Sequence, residues 1–125
     1  MVIVCDDDIS WLTFFSTCAE NTFEDLIMTQ SGNSLLEVLE AREEQPCLVF
    51  LDLNMIRKTG IETAIEIKKI NPTIPIIVMS ADITRDRLND VYKTGLQMFL
   101  RKEYNVEYFS RRLASIKETY LHHCQ

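Results

Sequence analysis

The short stretch from residue 47 to residue 52 has the sequence Cys-Leu-Val-Phe-Leu-Asp, five apolar side chains followed by a carboxylate. The N-terminus shows the same pattern, since residues 2–5 are Val-Ile-Val-Cys and aspartates follow directly. An unbroken apolar run of this kind is typical of a strand that is buried on both faces of a parallel sheet. The carboxyl ends of parallel strands lie along one edge of the sheet. We therefore expect Asp6, Asp7 and Asp52 to lie close together.

The rest of the chain alternates strand-like runs with amphipathic segments. Strands are predicted at about residues 2–5, 26–28, 47–51, 75–79 and 98–100. Apolar side chains at helical spacing predict five helices, the first over about residues 9–20 and the last over about 106–120. The second begins after an N-cap at Ser34, the third runs from Ile61 to a stop at Asn71-Pro72, and the fourth lies between a cap at Thr84 and Gly95. Five βα units of this kind predict an α/β fold with a (βα)5 doubly wound, five-stranded parallel sheet, in one domain over residues 1–125.

Composition and charge exclude several classes of function. The 125 residues carry a formal net charge of −6, which argues against a general binder of nucleic acid or of anionic membranes. No apolar stretch approaches the ~20 residues of a membrane span. The N-terminus lacks a basic segment followed by a long apolar one, so no secretory signal is expected. The four cysteines form no CxxC pair, which favours reduced thiols in a cytoplasmic protein.

Three carboxylates at one edge of a sheet need a compensating charge. Like charges so close together repel and raise one another's pKa unless a cation binds between them. Mg²⁺ prefers hard oxygen ligands and commonly binds one or two carboxylates together with water and a phosphate oxygen. The acidic edge formed by Asp6, Asp7 and Asp52 is therefore a candidate metal site.

Further polar side chains follow strands at the same edge. Ser80 follows the fourth strand, Lys102 follows the fifth, and Asn54 lies two residues beyond Asp52. A carboxylate can act as a nucleophile toward a phosphoryl group and become an acyl phosphate. Catalysis of such a transfer depends mainly on positioning and on charge neutralisation, which a metal ion, a lysine and a small hydroxyl can supply. The pattern thus favours phosphoryl transfer to a carboxylate.

These motifs occur in the same order in a known family, because the chain resembles the receiver domains of bacterial two-component response regulators. The matching stretches are residues 2–7, 48–55 with Gly60, 76–81 and 95–102. The resemblance covers essentially the whole chain. It implies a flavodoxin-like fold of the receiver type. It also implies a signalling domain rather than an enzyme, one that catalyses only its own phosphorylation and dephosphorylation.

The resemblance implies a role for each polar side chain at the edge. Asp52 would be the phosphoacceptor, and Ser80 and Lys102 would assist the transfer. Ser80 and Phe99 would form a conformational switch. Mg²⁺ or Mn²⁺ would be bound by Asp6, Asp7, Asp52 and the backbone carbonyl of Asn54.

The same resemblance implies the partners. A sensor histidine kinase or a histidine phosphotransfer protein would donate the phosphoryl group. A downstream protein or a fused output domain would respond to the switch. Direct binding to nucleic acid or to a membrane is not expected.

Two positions depart from the family pattern, in which a proline usually follows the residues matching Met55 and Lys102. Here these positions hold Ile56 and Glu103. The departures leave open a pseudo-receiver, a module that keeps the fold and binds proteins without being phosphorylated.

A phosphatase of the haloacid dehalogenase type is a further alternative. The run Asp6-Asp7-Asp8 fits the Asp-x-Asp pattern of that family, with Asp6 as nucleophile and Asp8 as acid. Ser80 and Lys102 could then serve as its later motifs. This interpretation leaves Asp52 without a role.

Overall fold

Strands and helices alternate along the chain in the predicted order. The computed structural model describes residues 1–81, 84–93 and 98–121. The strands are β1 (Val2–Cys5), β2 (Leu26–Thr29), β3 (Leu48–Asp52), β4 (Ile76–Ser80) and β5 (Met98–Arg101). The helices are α1 (Ile9–Ala19), α2 (Gly32–Ala41), α3 (Gly60–Ile70), α4 (Arg85–Lys93) and α5 (Val106–Tyr120).

The strands form one parallel sheet in the order β2-β1-β3-β4-β5. The chain moves outward from β1 to β2 and then returns to the other side of β1 to form β3. Ligands of doubly wound sheets bind beyond the carboxyl ends of the strands at such a reversal of strand order. Cys5 pairs with Leu51 across β1 and β3, which places Asp6 and Asp52 side by side. The predicted fold class is confirmed.

Each face of the sheet is covered by its own apolar core, because successive side chains of a strand point to opposite faces. Leu48 and Phe50 of β3 lie in the core beneath α1 and α5. Val49 and Leu51 lie in the core beneath α2 and α3. Burial on both faces explains why β3 is apolar until its last residue.

The structure corrects the predicted start of α2. The N-cap is Ser31 rather than Ser34, because the Ser31 side chain accepts a hydrogen bond from the backbone N–H of Ser34 at 3.0 Å. Both serines lie in the same turn and their hydroxyl oxygens are 2.9 Å apart, so sequence alone does not separate them. Asp52 and Ser80, expected just beyond their strands, are the last residues of β3 and β4.

The other predicted helix ends agree more closely with the structure. Asn71 is the C-cap of α3, and the backbone carbonyl of Thr84 accepts a hydrogen bond from Leu88 as α4 begins. Gly95, expected after α4, lies outside the described residues. Within the described ranges, every helix is too short or too polar to span a membrane.

The cysteines match the expectation of reduced thiols only in part. Cys5 and Cys18 are free and buried, and burial raises the pKa of the Cys5 thiol to about 11. Cys47 is disulfide-bonded, so the expectation is wrong for this residue. Cys124 lies outside the described residues.

Candidate functional site

Three aspartates meet at the carboxyl edge of the sheet, where the strand order reverses. Asp6 and Asp7 directly follow β1, and Asp52 ends β3. One carboxylate oxygen from each of the three lies within 4.8 Å of the others. Asp6 is fully buried, and Asp52 is only 3% exposed. The convergence expected from the sequence is present.

Backbone N–H groups fix the orientation of these carboxylates. The N–H of Asp8 donates to Asp6 Oδ1 at 2.9 Å. The N–H of Ile56 donates to Asp7 Oδ2 at 3.1 Å. A backbone hydrogen bond from Asn54 also reaches the Asp52 carboxylate. Loop backbone therefore holds the acids in place without neutralising their charge.

Gly60, the first residue of α3, brings that helix against the end of β3. Its N–H donates to the carbonyl oxygen of Leu53 at 3.2 Å. A Cβ atom on Gly60 would overlap the backbone carbonyl oxygen of Asp52 and would lie 2.8 Å from Leu53 Cα. A glycine is therefore needed for the approach that shapes the backbone behind Asp52.

Lys102 is the cation that faces the acid cluster. Its Nζ lies 2.5 Å from Asp6 Oδ2 and 3.1 Å from Asp52 Oδ1, and its side chain is only 12% exposed. Its backbone N–H donates to the carbonyl oxygen of Ser80 at 3.0 Å, so the end of β4 holds the start of the lysine's loop. Four strand-end residues from β1, β3, β4 and β5 are thus linked.

Burial dominates the electrostatics of the cluster. It raises the pKa of both the Asp6 and Asp52 carboxyls, and Lys102 offsets this effect only in part. Burial alone would lower the pKa of Lys102, but its hydrogen bond with Asp6 and the charge of Asp52 outweigh burial and raise it. Lys102 therefore stays protonated. With every group ionised, three carboxylates and one ammonium leave two negative charges.

These residues fit a divalent cation. Two uncompensated negative charges match its charge, and carboxylate oxygens are the ligands that Mg²⁺ and Mn²⁺ prefer. Asp6 Oδ2 is buried and, within the described part of the chain, has no partner other than the ammonium group of Lys102. A buried oxygen in that state has coordination capacity to spare.

Ser80 ends β4 near the cluster, and Phe99 lies on the neighbouring strand β5, where it pairs with Val78. Ser80 is fully buried, and its Oγ lies 3.4 Å from the side-chain nitrogen of Asn54. Phe99 is half-buried and packs against the core beneath α2 and α3. The role of the Asn54 carbonyl as a metal ligand stays a prediction.

Two contributions to the site are not predicted from the sequence. The Trp11 indole is buried in the core and also lies against Lys102, with Nζ 5.3 Å from the ring centroid. Ile56 stands where the family usually has a proline, and its N–H donates to Asp7. No local pattern signals the first contact, because 91 residues separate its partners. A proline at 56 could not make the second.

Asp8 does not have the position that the phosphatase alternative requires. Its side chain caps α1 and accepts a hydrogen bond from the N–H of Ser10 at 2.9 Å. Asp52, which that alternative leaves without a role, lies within the acid cluster. The geometry therefore favours Asp52 over Asp8 as a functional acid.

Comparison with known proteins identifies a family. The family model described as the response regulator receiver domain matches residues 2–114. Transcriptional regulatory protein ZraR of Escherichia coli is 34% identical over 101 residues, which are 81% of this chain and 22% of that protein. The chain thus spans about a fifth of the length of this curated relative.

Solved structures show the same fold. The phosphorylated cyanobacterial phytochrome response regulator RcpA has a TM-score of 0.84 at 23% identity, covering 99% of this chain and 95% of that one. The Mn²⁺-bound response regulator Rcp1 has a TM-score of 0.77 at 24% identity, covering 99% and 96%. Family match, sheet topology and strand-end residues agree. The chain belongs to the response regulator receiver domain family of two-component systems.

Proposed function

We propose that Asp52 accepts a phosphoryl group from a phosphohistidine on a sensor histidine kinase or a histidine phosphotransfer protein. One observation carries this proposal: a buried carboxylate shares its site with two further acids and a lysine, each from a strand end. Burying several charges together costs folding free energy, so a carboxylate with only a structural role would not require this arrangement. We place the exchange in the cytoplasm.

The chemistry uses an ionised Asp52 as nucleophile. A carboxylate oxygen attacks phosphorus, the P–N bond to the histidine breaks, and its electron pair stays on the imidazole that leaves. Lys102 would neutralise one phosphoryl oxygen, and the Ser80 hydroxyl would donate a hydrogen bond to another. A Mg²⁺ or Mn²⁺ ion held by Asp6, Asp7, Asp52 and the Asn54 carbonyl would supply further charge neutralisation.

Two of the similar proteins support this proposal by what their descriptions state. RcpA is described as phosphorylated and Rcp1 as Mn²⁺-bound, and both share the fold of this chain. ZraR is described as a transcriptional regulatory protein. A downstream protein or a fused output domain is therefore the proposed recipient of the signal here.

Phosphorylation would act by shifting an equilibrium between two conformations. The phosphoryl group would bind Ser80 and Lys102 better in one of them, and such a difference in affinity moves the population. Phe99 would turn further inward as Ser80 moves. The surface of α4, β5 and α5 would then change its contacts with the output partner.

The pseudo-receiver alternative rests on Ile56 and Glu103, and the site geometry gives it little support. The Ile56 side chain is 90% exposed, but its N–H still holds Asp7. Lys102, followed by Glu103, still reaches both Asp6 and Asp52. The two departures leave the acid cluster and its lysine assembled.

Intact mass after treatment with acetyl phosphate tests the proposal. We expect the wild type to gain one phosphate in the presence of Mg²⁺ and none in its absence. Asp52→Asn should gain none. Asp8→Asn is the matched control, because asparagine also caps helices well and the variant should be phosphorylated normally. A folded wild-type protein that gains no phosphate with Mg²⁺ would establish the pseudo-receiver instead.

A further inference from the structure

Lys102 is enclosed by two acids and one aromatic ring. Asp6 and Asp52 attract the ammonium group from one side. The Trp11 indole lies on another, with its centroid 5.3 Å from Nζ. A ring at this distance attracts a cation through its negative face, and more strongly where water is excluded. The lysine side chain, 12% exposed, is in such a place.

Trp11 is itself fixed by neighbouring rings. It is fully buried. Its ring lies 5.0 Å from Phe109 and 5.2 Å from Tyr104, both edge to face, and 5.2 Å from Phe14. An indole packed on several sides by other rings has little freedom to move when the lysine side chain moves.

The contact with Tyr104 connects the Trp11 indole to the loop that carries Lys102. Tyr104 is two residues beyond Lys102, between β5 and α5. The same indole ring therefore contacts both the end of the lysine side chain and the loop that carries it.

Hydrogen bonding by the indole N–H does not explain why a tryptophan occupies position 11. Nε1 is buried and has no hydrogen-bond partner among the described residues. A buried donor without a partner costs free energy, which a leucine or phenylalanine at this position would avoid. What tryptophan offers here is its ring face, which Lys102 uses and which attracts a cation more strongly than the ring of phenylalanine does.

We infer that Trp11 is a positioning residue for Lys102, whose indole face keeps the ammonium group directed at Asp52. A lysine side chain is flexible, and Asp6 and Asp52 compete for it. The indole restricts it to the region between them. The effect on phosphorylation rests on the proposed function, whereas the effect on the lysine itself does not.

The first test measures the lysine directly. Proton resonances of the Lys102 ε-methylene, identified by their absence in Lys102→Arg, should be shifted upfield by the ring current of the indole. The upfield shift should be lost in Trp11→Leu, retained in part in Trp11→Phe, and unchanged in Phe15→Leu. Phe15 is the matched control because it is buried in the same core, and its ring packs on Phe50 and Phe109.

The second test measures the rate of phosphorylation by acetyl phosphate with Mg²⁺. Trp11→Leu should lower the maximal rate about tenfold while leaving the donor concentration at half-maximal rate unchanged. Trp11→Phe should restore most of the rate, because it retains a ring face. Phe15→Leu should lower stability without lowering the rate.

Two results would overturn the inference. One is a Lys102 resonance that is insensitive to Trp11→Leu. The other is a rate in Trp11→Leu no lower than that in Phe15→Leu. A wild type that takes no phosphate would contradict the proposed function alone, and the resonance would then decide whether Trp11 positions the lysine.

Discussion

Lys102 and the acids beside it set the stability of the site as well as its chemistry. Asp6 and Asp52 lie out of water, and burial raises the pKa of both carboxyls. A raised pKa means that the ionised carboxylate is less stable in the folded protein than in the unfolded chain. Lys102 reduces this cost without removing it. The buried charges of the cluster therefore lower the free energy of unfolding, and they lie where a phosphoryl group would bind.

Neutralising Asp52 should stabilise the protein when divalent cations are removed. We expect Asp52→Asn to increase the free energy of unfolding at pH 7 by on the order of 1 kcal/mol, measured by urea unfolding with a chelator. The cost of ionised Asp52 is absent below about pH 4, where the carboxyl is protonated in both states. It develops as the pH rises from the ordinary pKa of the unfolded chain toward the raised pKa of the folded state, and it is complete above the latter.

The difference between Asp52→Asn and the wild type should therefore shrink at pH 4. A destabilised Asp52→Asn at pH 7 would contradict this account of the charges.

Removing the ammonium group should have the opposite effect. Lys102→Met leaves two buried carboxylates without their cation, and we expect a loss of about 3 kcal/mol in unfolding free energy with a chelator present. Mg²⁺ should raise the unfolding midpoint more in this variant than in the wild type, because it binds the folded state and meets more negative charge.

Lys58→Met provides the comparison for that experiment. It breaks the ion pair of Lys58 with Glu66, whose side chains are 24% and 41% exposed. Exposed pairs contribute at most about 1 kcal/mol, and Mg²⁺ should not act on this one. Equal responses of Lys58→Met and Lys102→Met to Mg²⁺ would rule out a cation site at the acid cluster.

The turn from β3 into α3 determines where the Asp52 carboxylate points. Asp52 is the last residue of β3, and its loop returns so that Gly60 lies against the Asp52 backbone. The N-cap of α3, Thr59, accepts a hydrogen bond from Glu62 and starts the helix at this point. The start of the helix therefore lies against the strand's backbone directly behind Asp52, the proposed phosphoacceptor.

Two glycines at helix starts allow a controlled test of that contact. Gly60→Ala should cost about 2–3 kcal/mol of unfolding free energy, because the new methyl group meets rigid backbone. Gly32→Ala should cost less, since the methyl group there meets side chains rather than backbone. Lys58 is flexible, and the buried Thr63 hydroxyl would have to give up its hydrogen bond to the Thr59 carbonyl oxygen. Thermal unfolding and phosphorylation should both be impaired more in Gly60→Ala. An equal effect of the two substitutions would show that the approach of α3 does not shape the site.

The sheet connects the proposed phosphorylation site to the proposed output surface. Ser80 accepts a backbone hydrogen bond from Lys102 and lies near Asn54 through its hydroxyl, so it touches both sides of the site. Phe99, one strand away, pairs with Val78 of β4. A change at Ser80 can therefore reach β5 through direct neighbours.

Hydrogen exchange should show this connection. After treatment with acetyl phosphate and Mg²⁺, we expect amide exchange to change in residues 84–93 and 98–109 of the wild type. Ser80→Ala should show a smaller change for the same fraction of phosphorylated protein. Asp52→Asn, treated identically, should show none. If Ser80→Ala showed a change in amide exchange as large as that of the wild type, Ser80 would have no role in the switch.

The sequence predicted the architecture and the acid cluster because both depend on local patterns. Buried strands are apolar on both faces, and parallel strands end at one edge, so the positions of Asp6 and Asp52 follow from strand assignment alone. The cap of α2 was assigned wrongly because Ser31 and Ser34 are chemically equivalent within one turn. The packing of Trp11 on Lys102 and the bonded state of Cys47 depend on tertiary contacts, which no local pattern encodes.

Locating the phosphate tests the central claim most directly. Borohydride reduces an acyl phosphate to an alcohol and would convert phosphorylated Asp52 to homoserine, which peptide mass spectrometry identifies by position. We predict homoserine at position 52 only after treatment with phosphodonor and Mg²⁺, with Asp6 and Asp7 unchanged. Homoserine at position 6 or 7, or at no position in a folded protein, would contradict the assignment of Asp52 as phosphoacceptor.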